Sequence, residues 1–307
     1  MQTNIKAMRV RNEKTQKELA DRLGTTEQTV ARWETGRTQV PVIQLRELAL
    51  IFSCSVDELL GKQRSNKRLH KSPFAVAKHE CPFGTASVTF GFGSLDYPID
   101  FPTRELIHQQ FCAIAGSDQY KNWIEFYALN NKLVFLNPAA VRSVDIFSDD
   151  VQSMPEFQHP EIYLALDEHI NILQEEQENG PELVKRVEEI AQALGEDGVI
   201  DLVDTIKMVY ADGNSKTCSL NEDVASRIEL FQVEGRLGTA KDNFFEIETE
   251  CQSAFELINL THVAVIEVAL ERYLRLIAEL AEEVKHAAIG HDSASLSNIR
   301  TEIMPRL

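Results

Sequence analysis

Apolar residues in the first sixty positions recur at the three-to-four-residue spacing of amphipathic helices. Each of five short runs predicts one helix: Ile5–Met8, Leu19–Leu23, Val30–Trp33, Ile43–Phe52 and Val56–Leu60. Polar residues and glycine separate the runs, so the pattern predicts an all-α unit of five helices over residues 1–61.

Residues that start and stop helices stand between these runs. In chain order they are Thr15 with Glu18, Gly24, Thr25 or Thr26, Gly36 and Pro41. Thr15 and Glu18 have the Thr-x-x-Glu spacing of a capping box, which satisfies free backbone amides at a helix start. Gly24 and Gly36 suit the left-handed residue that ends many helices. Two short helices joined by a tight turn are therefore expected over residues 15–36.

Two helices joined by a glycine-containing turn form a helix-turn-helix, whose second helix enters the major groove of DNA. Residues 15–36, which begin TQKELA and end ARWETG, resemble the Cro/phage-repressor (XRE) family. The resemblance continues through Pro41 to Val56–Gly61 and covers about a fifth of the chain. It implies a lambda-repressor-like domain and double-stranded DNA as its partner.

On a helix that opens at Thr26, the exposed early positions are Thr26, Glu27 and Gln28, and Arg32 follows one turn later. Gln28 can pair bidentately with adenine, and Arg32 can do so with guanine. Glu27 can accept from a cytosine amino group or repel a nearby phosphate. The resemblance places base contacts at the same four positions. The alternative is that these side chains lie on a solvated helix without a binding role, or that the helix-turn-helix binds only protein.

The resemblance also places Gln16 on a DNA phosphate, where its amide and the helix dipole both favour an anion. Arg37 and Gln39, just past the recognition helix, are further predicted phosphate contacts. Arg9 and Glu34 match an ion pair with which family members brace their helices, so both are assigned to structure.

The net charge of −17 is unevenly distributed. Residues 1–61 carry +1, residues 62–80 carry +5, and residues 81–307 carry −23. Only the first eighty residues are suited to approach a phosphate backbone, because the rest would be repelled by it. Residues 62–83 are basic and polar, which predicts a flexible linker. The linker either adds non-specific phosphate contacts or acts as a solubilising hinge.

The rest of the chain predicts an α+β region with an internal duplication. A strand-strand-helix-three-strand order is expected over residues 84–155 and again over residues 201–268. The matched stretches are Ser87–Phe90 with Thr205–Met208, Trp123–Phe126 with Phe244–Ile247, Leu133–Val141 with Phe255–Val263, and Val144–Ile146 with Ile266–Val268. A helical connector is predicted at 156–200, and a C-terminal helix and tail at 269–307. The chain is thus predicted to be multidomain, with an all-α domain followed by an α+β region and flanking helices.

Candidate catalytic, cofactor-binding and metal-binding residues are scattered along this sequence. Ser94 and Lys121 lack the surroundings of the Ser/Lys pair of self-cleaving repressors, and Gly91 and Gly93 lack the helix of a dinucleotide loop. The five cysteines form no CxxC pair. We therefore expect no enzyme activity, no cofactor and no metal site. The absence of a long apolar run or a signal sequence predicts a cytoplasmic protein with no membrane segment.

These features favour a sequence-specific transcription regulator that binds a two-fold-related operator as a homodimer or higher oligomer. The C-terminal region would then supply dimerisation and sensing. The alternative is an antitoxin-like or defence-system component, whose acidic region binds a partner protein while the helix-turn-helix regulates its own gene. A third possibility is an enzyme fused to a DNA-binding module.

Overall fold

The computed structural model describes residues 3–61, 82–115, 123–171, 180–234, 244–248 and 255–290. Nearly all of the predicted linker at 62–83 and the predicted tail beyond 290 lie outside these residues. The helices are α1 Ile5–Arg11, α2 Gln16–Arg22, α3 Glu27–Glu34, α4 Val42–Phe52, α5 Val56–Leu59, α6 Phe101–Ala115, α7 Pro160–Asn171, α8 Pro181–Val203, α9 Glu222–Glu234 and α10 Leu270–Gly290. The strands are β1 Pro82–Thr89, β2 Ser94–Asp100, β3 Ile124–Ala128, β4 Lys132–Leu136, β5 Ser143–Ser148, β6 Thr205–Tyr210, β7 Ser215–Ser219, β8 Phe244–Glu248, β9 Phe255–Asn259 and β10 Val263–Ala269.

The first five helices form an all-α unit around one apolar core, as the five apolar runs predict. Leu19, Val30 and Leu48 are fully buried at its centre. Thr15 starts α2 with a complete capping box. Gly24 follows α2 with a φ of +60°, a left-handed backbone that glycine adopts without the steric cost of a side chain. The local signals thus set both sides of the turn between α2 and α3.

Two segments beyond residue 82 have their strands and one helix in the same order. Residues 82–148 run β1, β2, α6, β3, β4, β5, and residues 205–269 run β6, β7, α9, β8, β9, β10. A short 3-10 helix, Leu260–His262, precedes β10. Each segment thus runs strand, strand, helix and three strands.

The two segments share a sheet. The order β3-β4-β10-β6-β7 forms a five-stranded sheet, β2-β1-β5 a three-stranded sheet, and β8-β9 a two-stranded hairpin. At the junction, Phe135 of β4 lies opposite Ile266 of β10 in an antiparallel pair. The β3–β4 hairpin of the first segment therefore extends the sheet of the second, which apolar periodicity does not predict.

The five-stranded sheet separates two apolar cores. On one face, Val134 and Leu136 pack with the three-stranded sheet and α6. On the other face, Leu133 and Phe135 pack with α9, α10 and the β8–β9 hairpin. Since successive side chains of a strand point to opposite faces, β4 contributes to both cores.

α7 and α8 lie between the two segments and share an apolar core of their own, to which α4 adds Leu50. α8 bends at Gly195, whose φ of +71° lies outside the helical region, and continues to Val203. The helix thus runs past residue 200, where the predicted connector ends. Val199 and Val203 explain the extension, because both are buried in this core beyond the bend.

Candidate nucleic-acid interface

α3 begins at a capped end that fixes the direction of its first turn. The hydroxyl of Thr26 accepts a hydrogen bond from the backbone N–H of Thr29 at 3.2 Å. It shares a second hydrogen bond with the Thr29 hydroxyl at 2.8 Å. Of the two threonines that the sequence offers, Thr26 is the cap that is used. Its hydroxyl therefore serves the helix, although the sequence assigns this residue to a base contact.

Glu27, Gln28 and Arg32 are exposed on the side of α3 that faces away from the apolar core. Val30 and Trp33 occupy the opposite side, and both are buried. Arg32 follows Gln28 by one helical turn, so the two side chains best suited to bidentate base recognition project from one face. We call Glu27, Gln28 and Arg32 the α3 surface.

Arg9, Gln16 and Glu34 form one polar cluster that ties α1, α2 and α3 together. Arg9 Nε donates to Glu34 Oε1 at 2.5 Å, and this hydrogen bond raises the pKa of the Arg9 guanidinium. Gln16 Nε2 donates to Glu34 Oε2 at 2.7 Å. The structure therefore joins Arg9 and Glu34, and it also engages one amide hydrogen of Gln16, a residue that the sequence assigns to a phosphate.

Arg37 and Gln39 follow the end of α3, and both side chains are exposed. Gly36 has a φ of +67°, which turns the chain out of the helix. The backbone N–H of Arg37 then donates to the carbonyl of Arg32 at 2.9 Å. This bond holds the segment that carries Arg37 against the last turn of α3, close to the α3 surface.

α4 attaches the five-helix unit to α7. Arg46 Nε donates to Glu161 Oε2 at 2.8 Å, and its Nη1 donates to Glu168 Oε2 at 2.9 Å. All three side chains are mostly buried. Burial alone would lower the pKa of Arg46, but the hydrogen bonds and charges of both carboxylates outweigh this effect and raise it. Charge-assisted bonds of this kind are among the stronger polar contacts in proteins.

Glu47 of α4 caps α8 from outside that helix. Its carboxylate accepts from the backbone N–H groups of Leu183 at 2.9 Å and Glu182 at 3.2 Å. The residue at the N-cap position of α8 is Gly180, which has no side chain to satisfy these groups. A Cβ at position 180 would lie 2.2 Å from Cγ of Glu47, so this close approach requires glycine. Burial raises the pKa of Glu47, although the two backbone hydrogen bonds oppose the shift.

Two further contacts join the unit to the second part of the chain. His159 Nε2 lies 3.2 Å from the carbonyl oxygen of Cys54, and the ring Nδ1 accepts from the backbone N–H of Glu161 at 3.3 Å. Burial lowers the pKa of His159 to about 4, so the imidazole is neutral at pH 7 and donates from Nε2. Arg22 Nε donates to Glu182 Oε1 at 2.9 Å in a half-exposed pair.

The sequence predicts that the residues of the α3 surface are exposed, as they are, but it does not predict the contact made by α4. The signal available was the pair Arg46 and Glu47, the two charged residues inside the apolar run Ile43–Phe52. A buried charge requires a partner, so these residues indicate a contact surface. They do not indicate which part of the chain supplies the partner.

Within the described ranges, no helix is both long and apolar enough to cross a lipid bilayer. The same residues contain no group of three or more His, Cys, Asp or Glu side chains placed to hold a metal ion.

The first five helices have the arrangement of a helix-turn-helix unit, with α2 and α3 as its two central helices. Residues 5–59 match the helix-turn-helix family model HTH_3. This segment is a helix-turn-helix of the XRE or lambda-repressor type, which confirms the resemblance predicted from the sequence. No curated protein and no solved structure matches the chain.

Proposed function

We propose that this protein is a sequence-specific transcription regulator that binds a two-fold-related operator as a dimer. The observation that carries the proposal is the α3 surface. Glu27, Gln28 and Arg32 are exposed, whereas the contacts of the unit with the second part of the chain run through α4 and its neighbours. The side that holds the unit in place is thus different from the side suited to DNA.

The charge distribution supports the same role. Residues 81–307 carry −23 and are repelled by phosphate, whereas residues 1–61 are nearly neutral. A single helix-turn-helix buries too little surface for tight binding, and two half-sites about one helical turn apart supply affinity and specificity. The second part of the chain would then hold two such units and act in dimerisation and sensing rather than in catalysis.

We infer that residues 82–148 and 205–269 are two copies of one folding unit. Matching helix caps support this inference: the N–H of Thr103 donates to Asp100 Oδ1, and the N–H of Val224 donates to Asn221 Oδ1, both at 2.9 Å. Each cap stands at the start of the helix that follows the first hairpin. Aspartate and asparagine are interchangeable in this role.

A second pair of matching bonds lies after the second hairpin of each segment. Asn137 Oδ1 accepts from the N–H of Ala139 at 3.1 Å, and Asn259 Oδ1 accepts from the N–H of Thr261 at 3.0 Å. These bonds support the predicted match of Leu133–Val141 with Phe255–Val263.

The first hairpins require a change to the predicted match. Phe90 N–H donates to the Gly93 carbonyl, and Tyr210 N–H donates to the Asn214 carbonyl, each at 2.8 Å. These closing bonds match Phe90 to Tyr210 and therefore Ser87 to Lys207 instead of Thr205. The predicted alignment of the first hairpins is therefore shifted by two residues. Because side chains along a strand alternate with a period of two, this shift leaves each side chain on the same face of the sheet.

Selection of bound sequences from random duplex DNA tests the proposed function. The full-length chain should enrich an inverted repeat whose half-sites lie about one helical turn, or a multiple of it, apart. A variant with Glu27, Gln28 and Arg32 all replaced by alanine is the matched control, because these exposed side chains contribute little to stability. Failure of the full-length chain to enrich a motif, or the same motif from the triple variant, would contradict the proposal.

A further inference from the structure

We propose that β9 of one chain pairs with β5 of a second chain, and the reverse, so that two copies form a closed dimer through antiparallel strands. The inference deepens the dimer of the proposed function and rests on the duplication inferred above. It does not require DNA to be present. The occupant of both strand edges is a second copy of this chain, because the chain already makes the same pairing once within itself.

The internal template is the pairing of β4 with β10. There the hairpin of the first segment joins the sheet of the second, and Leu133 and Phe135 are 0% and 1% exposed. The matching residues of β9 are Phe255 and Leu257, which are 62% and 51% exposed. The same hairpin position is thus buried in one segment and uncovered in the other.

The receiving strand shows the same contrast. Ile266 and Val268 of β10 are buried where β4 covers them. Their counterparts in β5 are Val144 and Ile146, which are only partly buried. In the described part of the chain, β5 pairs with β1 alone and β9 pairs with β8 alone. Among the described residues, each chain therefore has one unpaired hairpin edge, β9, and one unpaired sheet edge, β5.

The template sets the register between the two copies. Phe135 lies opposite Ile266 and Leu133 opposite Val268 within the chain. The same register places Leu257 opposite Val144, and Phe255 opposite Ile146, of the second copy. Both facing pairs are apolar, and such cross-strand pairs stabilise a sheet.

The packing of the side chains also follows the template. Leu133 and Phe135 enter a core that contains Ile206 and Met208 of β6. Phe255 and Leu257 would enter the equivalent core beside β1, where Val144 and Ile146 already lie at the margin. An uncovered apolar sheet edge is a site at which other chains add strands, so covering it removes an aggregation hazard.

On the other face of the paired strands, the register brings Glu256 opposite Asp145. Like charges directly opposite each other are unfavourable. Lys216 of the same chain, however, pairs with Glu256, and this contact compensates its charge. The apolar pairs therefore determine the register.

Reciprocal pairing uses both edges of both chains. The contact is two-fold symmetric, because β9 of each chain meets β5 of the other, and such an isologous contact closes with two chains. Two chains then give a ring of four units, with two junctions inside the chains and two between them.

Measurement of the mass in solution without DNA tests the assembly. Light scattering after gel filtration should give twice 34.7 kDa for the native chain and 34.7 kDa for Leu257→Asp. Leu194→Asp is the matched control, because Leu194 of α8 is 49% exposed and lies outside both strands, and it should remain dimeric. A monomeric native chain, a Leu257→Asp variant that stays dimeric, or assemblies larger than a dimer would each overturn the closed dimer.

Crosslinking keeps the proposal testable if Leu257→Asp fails to fold. All five native cysteines are first replaced by serine. A chain that carries Val144→Cys is then mixed with a chain that carries Leu257→Cys, and the mixture is oxidised. A disulfide-linked dimer should form in the mixture, and far less of it when Leu194→Cys replaces Leu257→Cys. Equal crosslinking of the two mixtures would overturn the register. Because neither experiment contains DNA, their failure leaves the selection of an operator sequence unaffected.

Discussion

α3 and α4 belong to the same five-helix unit but place their charged residues in opposite surroundings. Glu27 and Arg32 of α3 are exposed to solvent, whereas Glu47 and Arg46 of α4 are held by hydrogen bonds to α7 and α8. Exposed charges contribute little to folding stability and are free to bind a ligand. Buried charges require their partners and therefore fix the position of the unit. The comparison separates recognition from attachment within one small unit.

The largest expected effect is that of Arg46→Ala. This change leaves Glu161 and Glu168 facing each other without their cation, so we expect a loss of roughly 3 kcal/mol in the free energy of unfolding. Urea denaturation followed by circular dichroism measures the loss. Arg32→Ala on α3 is the control and should change stability by less than about 0.5 kcal/mol. Equal effects of the two variants would contradict the division between α3 and α4.

Glu47→Ala should have the next largest effect. Removal of the carboxylate leaves the N–H groups of Glu182 and Leu183 without their acceptor at a buried helix end, at a cost of about 2 kcal/mol. Hydrogen–deuterium exchange should report faster exchange in the first turn of α8. The control is Glu27→Ala, which should leave exchange in α8 unchanged. Unaltered protection of α8 in Glu47→Ala would show that the cap is not needed.

His159 makes the attachment sensitive to pH. Its pKa is about 4 in the folded chain and 6.5 when unperturbed, so between these values the unfolded chain binds more protons. The folding stability that depends on neutral His159 is fully present above pH 6.5 and is lost as pH falls toward 4. Between pH 7.5 and 5, the native chain should therefore lose about 2 kcal/mol relative to His159→Gln. Denaturation of both chains at the two pH values measures this difference, and parallel losses would contradict it.

Arg32→Ala should have the smallest effect in free energy, and this effect concerns DNA. Once an operator sequence is selected, we expect a loss of roughly 1.5 kcal/mol in binding and relaxed preference at one base pair. Arg37→Ala is the comparison, because a phosphate contact should weaken all sequences equally and reduce the salt dependence. Titrations with variant operators at several salt concentrations distinguish the two. An unchanged preference in Arg32→Ala would remove Arg32 from base recognition.

The sequence predicted the local features well. Capping residues and apolar spacing gave the five helices of the first unit, because both depend on neighbours within a few residues along the chain. The element order of the α+β region was predicted from the similarity of its two halves. The exposed residues of α3 followed from the same periodicity. The family resemblance supplied the pairing of Arg9 with Glu34, since no local rule connects residues so far apart in the chain.

Only the tertiary structure decided which surfaces meet. The sequence alone determined which faces are apolar and where helices and strands begin, since these follow from side-chain type and spacing. It did not determine that β4 joins β10, that Glu47 caps α8, or that Phe255 and Leu257 remain uncovered while Leu133 and Phe135 are buried. Judged by their hydrophobic pattern alone, similar apolar strands are equally suitable as pairing partners in a sheet. The choice among them depends on how distant segments approach one another in space, which the order of residues does not reveal.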